Sequence, residues 1–201
     1  MSDVPAPAYA PATDPSADGA ARIRLPTEAS MTARQREVRD ALVAGPRKGV
    51  RGPMGVWLIR PDLAESAQAL GRYCRFESSL PTRLSELAIC TTARAWNAEF
   101  EWYAHKPMAL KAGICEAILD AIRDGREPPF EREDEAAVHA FVKESQETRT
   151  VSDATYARAV AAIGEEGVVD VVGIVGYYCL VSMTLNIFGV NPPPGSKLEM
   201  G

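Results

Sequence analysis

Residues Glu86 to His105 read ELAICTTARAWNAEFEWYAH, and the chain continues through KPMALKA to Gly113. The stretch holds one of only two histidines and two carboxylates, Glu86 and Glu101, that can reach it. Glu101 and His105 are four apart, so on a helix one lies above the other within hydrogen-bonding reach. Glu86 precedes the histidine by nineteen residues, and at about 100° per residue an unbroken helix would turn it well round the cylinder. For the two to meet, the chain must break. Trp96-Asn97-Ala98-Glu99 is the expected break, because Asn tolerates the left-handed backbone that ends one helix and also serves as N-cap of the next. The reading is two helices, roughly 82–96 and 98–112, packed so that Glu86 faces His105. Pro107 clashes with the carbonyl of Tyr103 and lacks an N–H, so a kink or a fresh helix start is expected there. Gly113 closes the segment as a C′ glycine.

Upstream, residues 1 to about 22 are rich in Pro, Ala, Asp and Ser with few large apolar side chains, a composition expected to stay disordered or draped. Thr32-Ala-Arg-Gln35 reads as a capping box opening a helix to Ala44, which Gly45-Pro46 ends. Arg47 to Pro53 is a basic, Gly/Pro-broken loop, and Gly52-Pro-Met-Gly-Val-Trp57 is either a buried hook or a pocket wall. From Pro61 a helix follows, with Leu63, Ala67, Leu70, Tyr73 and Cys74 as its apolar stripe and Arg72 and Arg75 flanking the end.

Downstream, a short helix from Cys115 to Arg123 ends at Asp124-Gly125, and a Pro-rich bridge leads to an amphipathic helix over 133–148. That helix is acidic in its first turn and apolar along Ala137, Val138, Phe141 and Val142, with His139 expected at the surface or an interface. Ser152 caps a helix over 153–163 with Tyr156 and Val160 inward, and Gly164 ends it. Val171 to Val190 carries no charge for twenty residues. Asp170 at its edge and the Ser, Thr and Asn within it favour a core or subunit-interface helix over a membrane span.

No stretch has strand periodicity and no repeat stands out, so the chain is expected to be all-α. At 201 residues, 46% hydrophobic and 24% charged, it is expected to form one soluble domain over 23–191, with tails at 1–22 and 192–201. A net charge of −5 without a basic cluster argues against a nucleic-acid partner. The cysteines at 74, 90, 115 and 179 have neither metal nor disulfide spacing and read as small core residues of a reduced, cytoplasmic protein.

Leu80-Pro-Thr-Arg-Leu-Ser-Glu86, Glu99-Phe-Glu-Trp-Tyr-Ala-His105, Ala109 to Gly113, and Tyr177-Tyr178 before Asn186 resemble the carboxymuconolactone decarboxylase family, which shares its fold with the alkyl hydroperoxidase D (AhpD) group. The likeness spans roughly residues 50 to 190. Peroxidase members carry a Cys-x-x-Cys pair ahead of the histidine. Here the matching positions are Ala98 and Glu101, so disulfide cycling is not expected. The resemblance implies a compact multi-helix domain in a homo-oligomer (dimer, trimer or hexamer), acting without cofactor or metal on a small-molecule substrate.

On that footing His105 is the candidate proton donor, Glu86 its orienting partner and Glu101 a second acid or base. Trp57, Trp102, Tyr103 and Tyr177 are candidates to line the pocket, and Arg75 or Arg83 to hold a substrate carboxylate. The expected reaction is decarboxylation of a carboxylated lactone or related ring acid. The alternatives are hydroperoxide reduction, for which Cys90 is one available thiol, and a non-catalytic oligomeric member. In the last case the three residues would be a satisfied polar cluster of the core.

Overall fold

The computed structural model describes residues 22–45 and 49–200. Apart from Arg22, the expected N-terminal tail lies outside them, as do positions 46–48 of the helix-ending turn and the loop after it. The described residues contain helices and no strand. In order these are α1 (Ala33–Ala44), α2 (Pro53–Trp57), α3 (Pro61–Phe76), α4 (Thr82–Ala95), α5 (Glu99–Lys111), α6 (Glu116–Arg123), α7 (Glu133–Thr148) and α8 (Asp153–Phe188). By their contacts they form two compact units. One comprises the residues up to Leu70 with Thr184–Asn191, the other Gly71–Met183 with Pro192–Met200.

In the first unit the capping box forms as expected: Thr32 Oγ1 accepts from Gln35 N–H, and Gln35 Oε1 accepts from Thr32 N–H. α1 buries Val38 and Leu42, and Trp57 on α2 donates its indole N–H to Thr184 Oγ1 at 3.0 Å. Gly52-Pro-Met-Gly-Val-Trp57 is thus mainly a short buried helix rather than a loop. The stripe expected on α3 is corrected in part: Ala67 and Cys74 are buried as expected. Leu63, Leu70 and Tyr73 are exposed, and the buried line is Ala64, Ala67, Gly71 and Cys74. The covered face of α3 is thus the one carrying small side chains.

The second unit is built round α4, which packs against α5, α6 and α7 and buries every residue from Leu84 to Ala93. Thr91 and Thr92 sit in this core without an unmet hydroxyl, because each donates to the carbonyl four residues back, at Leu87 and Ala88, at 2.8 Å. The α4–α5 break falls at Asn97, whose φ is 48°. Asn97 N–H donates to the Arg94 carbonyl and Ala98 N–H to that of Ala93, so two otherwise orphaned carbonyls are paired in a Schellman turn. Asn97 does not cap α5, however. Its side-chain oxygen accepts from Arg94, and Ala98 is the N-cap. Gly113, at φ 101°, ends α5 by the same motif, and no new helix starts at Pro107, which lies inside α5.

Leu87, Cys90, Trp102, Ile114, Ile118 and Leu119 make the apolar centre between α4, α5 and α6. The last residues dock on this unit: Glu99 accepts the backbone N–H groups of Glu199 and Met200, and the Glu199 carboxylate accepts from Trp102 Nε1 and Lys106 Nζ. Gly164, at φ 72° and ψ 170°, interrupts α8 where a helix end is expected. Before it, Ala159 is buried while Tyr156 is exposed, the reverse of the inward tyrosine expected there. Beyond it, α8 is long and apolar enough to cross a membrane by composition, but 61% of its most apolar window is buried in the protein. Asp170, also buried, accepts from Tyr73 OH at 2.6 Å and from Ser79 N–H and Oγ–H at 2.6 and 2.7 Å. Of the four thiols, Cys74 and Cys90 are core residues as expected, whereas Cys115 is exposed at the start of α6 and Cys179 is half-buried.

Candidate functional site

Glu86 on the second turn of α4 and His105 in the middle of α5 meet across the helix pair. His105 Nδ1 lies 2.6 Å from Glu86 Oε2, and His105 Nε2 lies 3.0 Å from Glu101 Oε1, one turn back on α5. All three side chains are buried. The ring is therefore held at both nitrogens by acids from two helices, and each ring N–H of the protonated form has an acceptor. Burial opposes the charge on His105, but the charge and hydrogen bond of Glu101, followed by those of Glu86, outweigh it and lift the pKa from 6.5 to about 9. At neutral pH the group is an imidazolium. Tyr178 stands edge-on to it with ring centroids 5.1 Å apart, and Tyr177 stands edge-on to Tyr178 at 5.2 Å. Burial first, then the Glu101 charge, pushes the Tyr178 phenol well above its ordinary range. It stays a neutral O–H.

The two candidate arginines differ. Arg83 binds Asp134 through Nη2 at 2.6 Å and Glu135 through Nη1 at 2.5 Å, so its fork is occupied by the start of α7. Arg75 donates to Met108 Sδ at 3.3 Å and lies over the Phe76 ring, with no carboxylate in ion-pair reach among the described residues. Its positive field reaches Tyr178, whose ionisation it eases. Trp102 is buried in the apolar centre with its indole N–H on Glu199. Tyr103 is 42% exposed and packs edge-on to Phe100. Two residues on a helix are about 200° apart, so Tyr103 and His105 point to different sides of α5. Tyr177 is buried beside Tyr178. Trp57 belongs to the other unit, where it binds Thr184.

Tyr177 was the expected pocket tyrosine, but the ring against His105 is that of Tyr178; adjacent tyrosines diverge on a helix, and nothing local says which one faces the histidine. Cys90 lies within the electrostatic reach of the same carboxylates. Burial first, then Glu86 and Glu101, raises its thiol pKa well above the usual value, which suppresses the thiolate that peroxide chemistry needs. His139, expected near the surface, is instead buried against Phe130 with ring centroids 5.2 Å apart.

No family model and no curated protein sequence matches the chain. Solved structures do. A protein from Ralstonia eutropha JMP134, described as an alkylhydroperoxidase AhpD core and an uncharacterized peroxidase-related protein, superposes with a TM-score of 0.70 at 15% identity over 87% of this chain and 93% of its own. The debrominase Bmp8, in a complex with 2,3,4-tribromopyrrole, gives 0.66 at 14% identity over 84% of this chain and 91% of its own. An AhpD-type protein of unknown function from Agrobacterium tumefaciens gives 0.62 at 16% identity over 71% and 99%. The fold is AhpD-like.

Proposed function

We propose, taking the AhpD-like fold as premise, that the protein is a cofactor-free carboxy-lyase acting on a small carboxylated lactone or related ring acid. The observation that carries this reading is the imidazolium of His105, buried and held at both nitrogens by Glu86 and Glu101. Loss of CO₂ from such an acid leaves the electron pair of the broken C–C bond in the unsaturated ring as a dienolate. Chemistry of this kind needs three things: a donor at the developing oxyanion, a weakly solvating environment for the departing carboxylate, and an acid that delivers one proton to carbon. His105 is the acid, Glu86 orients it, and Glu101 is the second acid or base. Tyr178, kept neutral by burial, is a suitable hydrogen-bond donor to the lactone carbonyl oxygen, where the oxyanion develops. Arg75 suits the substrate carboxylate better than Arg83, because Arg83 is already committed to two acids.

The complex of an AhpD-like debrominase with a brominated pyrrole supports a small ring as the kind of ligand this architecture accepts. Val169, Val172 and Met183, exposed along α8, support a homo-oligomer as the working state. A soluble, cytoplasmic setting fits the same reading. Incubation with a panel of carboxylated butenolides and related ring acids, read by CO₂ release, tests the activity. The wild type should turn over at least one class, and His105→Ala and Glu86→Gln should each abolish turnover with helix content unchanged. Turnover that survives either substitution, or consumption of peroxide at the expense of a thiol, defeats the lyase reading.

A further inference from the structure

Past the C-terminal end of α4, a cavity of about 450 Å³ opens between that end, the turn leaving α6 and the middle of α7. Its lining belongs wholly to the second unit. It begins at Thr91 and Arg94, five and eight residues beyond Glu86, so at about 1.5 Å of rise per residue it lies roughly 8–12 Å further along the helix than the carboxylate that grips His105. The volume is within the usual range for small-molecule sites.

Arg94, Arg126 and Lys143 bring three cations to this wall, against one lining carboxylate, Glu147. Arg94 is fixed from behind by the Arg123 carbonyl and the Asn97 side chain, and Arg126 shares Asp124 with Arg123. Lys143 has no ion-pair partner among the described residues. Ile122 and Ala95 supply apolar surface.

His139 adds the independent observation. The residue is buried against Phe130 and lines the cavity, and neither ring nitrogen has a hydrogen-bond partner among the described residues, although neither is sealed from the cavity's solvent. A ring nitrogen that has no partner in the protein and reaches the cavity is available to a guest bound there. Burial, and next the Lys143 charge, lower the His139 pKa to about 4, with Glu127 opposing weakly. The ring is thus neutral at physiological pH, with one N–H to give and one bare nitrogen.

We infer that this cavity is a binding site for a small organic carboxylate, distinct from the His105 cluster. Arg126 and Lys143 take the charge, the His139 N–H donates from the buried side, and Ile122 and Ala95 receive the apolar body. An arginine fork and an ammonium set beside apolar surface match a carboxylate carried on a hydrocarbon frame better than a fully hydrated inorganic anion.

The chain has only two histidines, so imidazole NMR of the full-length protein reports on both sites at once. Benzoate, added to millimolar concentrations, should shift the His139 signals saturably and raise the His139 pKa, because a bound anion favours the imidazolium, whether or not the His105 signals also move. Benzamide, equal in size but neutral, should leave His139 unmoved, and inorganic phosphate should compete poorly. Lys143→Met and Arg126→Gln, both at exposed positions, should each weaken benzoate about tenfold or more. The inference is overturned if His139 does not respond, if benzamide acts as benzoate does, if phosphate binds in its place, or if both variants bind like the wild type. A response confined to His105 would overturn this site and leave the lyase reading standing.

Discussion

Replacing Glu101 by glutamine keeps the shape of the side chain and removes its charge, which makes Glu101→Gln a direct probe of what holds the buried imidazolium. The His105 pKa stands at about 9 against an ordinary 6.5, a difference of 2.5 (9 − 6.5). At about 1.4 kcal/mol per pH unit this amounts to roughly 3 kcal/mol in favour of the charged ring. The folded pKa is the raised one. The stabilisation is therefore fully present below about pH 6.5 and is lost as pH rises through about 9. Glu101 supplies the larger share of the lift, and an opposite charge at hydrogen-bond distance is worth roughly one to three pH units. In Glu101→Gln the His105 pKa should fall by about that much, since burial continues to oppose the charge. Imidazole NMR titration measures it, with His139, near 4, as an internal reference. Urea unfolding at about pH 6 and about pH 10 should show a stability loss in the wild type that is markedly smaller in the variant. A His105 that titrates near its ordinary value in the wild type, or whose pKa is unmoved by the substitution, would refute the account of the site.

Asp170→Asn should cost about 1–3 kcal/mol in chemical denaturation, because Tyr73 and Ser79 lose a charged acceptor in a buried position. Burial opposes ionisation of Asp170, but the Tyr73 and Ser79 hydrogen bonds lower its pKa overall, so its contribution is present at neutral pH and fades only as acid takes the pH through that lowered value. Leu119→Ala, at a fully buried position of the α4–α6 centre, should cost about 2–5 kcal/mol. A thiol reagent should label Cys115 fast, Cys179 more slowly, and Cys74 and Cys90 only on unfolding; rapid labelling of Cys90 would contradict its burial. On the proposed homo-oligomer, Val172→Glu on the exposed apolar line of α8 should shift sedimentation toward monomer with helix content unchanged; a wild type that already sediments as a monomer would overturn that part of the proposal.

The pairing of Glu86 with His105 was legible because two local facts combine: the i, i+4 step to Glu101, and an Asn at the one place where a break would fold α4 back on α5. Helix ends at Ala44, Gly113 and Gly164 were legible for the same reason, since turn chemistry is local. What escaped is non-local. Periodicity marks the apolar face of α3 at Leu63, Leu70 and Tyr73, yet the covered face is the one with the small residues Ala64, Ala67, Gly71 and Cys74. His139 and Asp170 look like edge positions until Phe130 covers the first and Tyr73, 97 residues away, and Ser79, 91 residues away, reach the second. Arg83 and Arg75 are alike as residue types, and only the placement of Asp134 and Glu135 separates them.

Because both nitrogens of the His105 ring are already engaged, the imidazole has no spare lone pair or N–H to present to a guest. Any hydrogen that leaves it for carbon must first hop onto a carboxylate, with Glu101 as the stepping stone, unless one of the two clasps swings open. On the hop route the same hydrogen moves twice, from His105 Nε2 to Glu101 Oε1 and from Glu101 to carbon, so Glu101→Gln would close that route while leaving the imidazole in place.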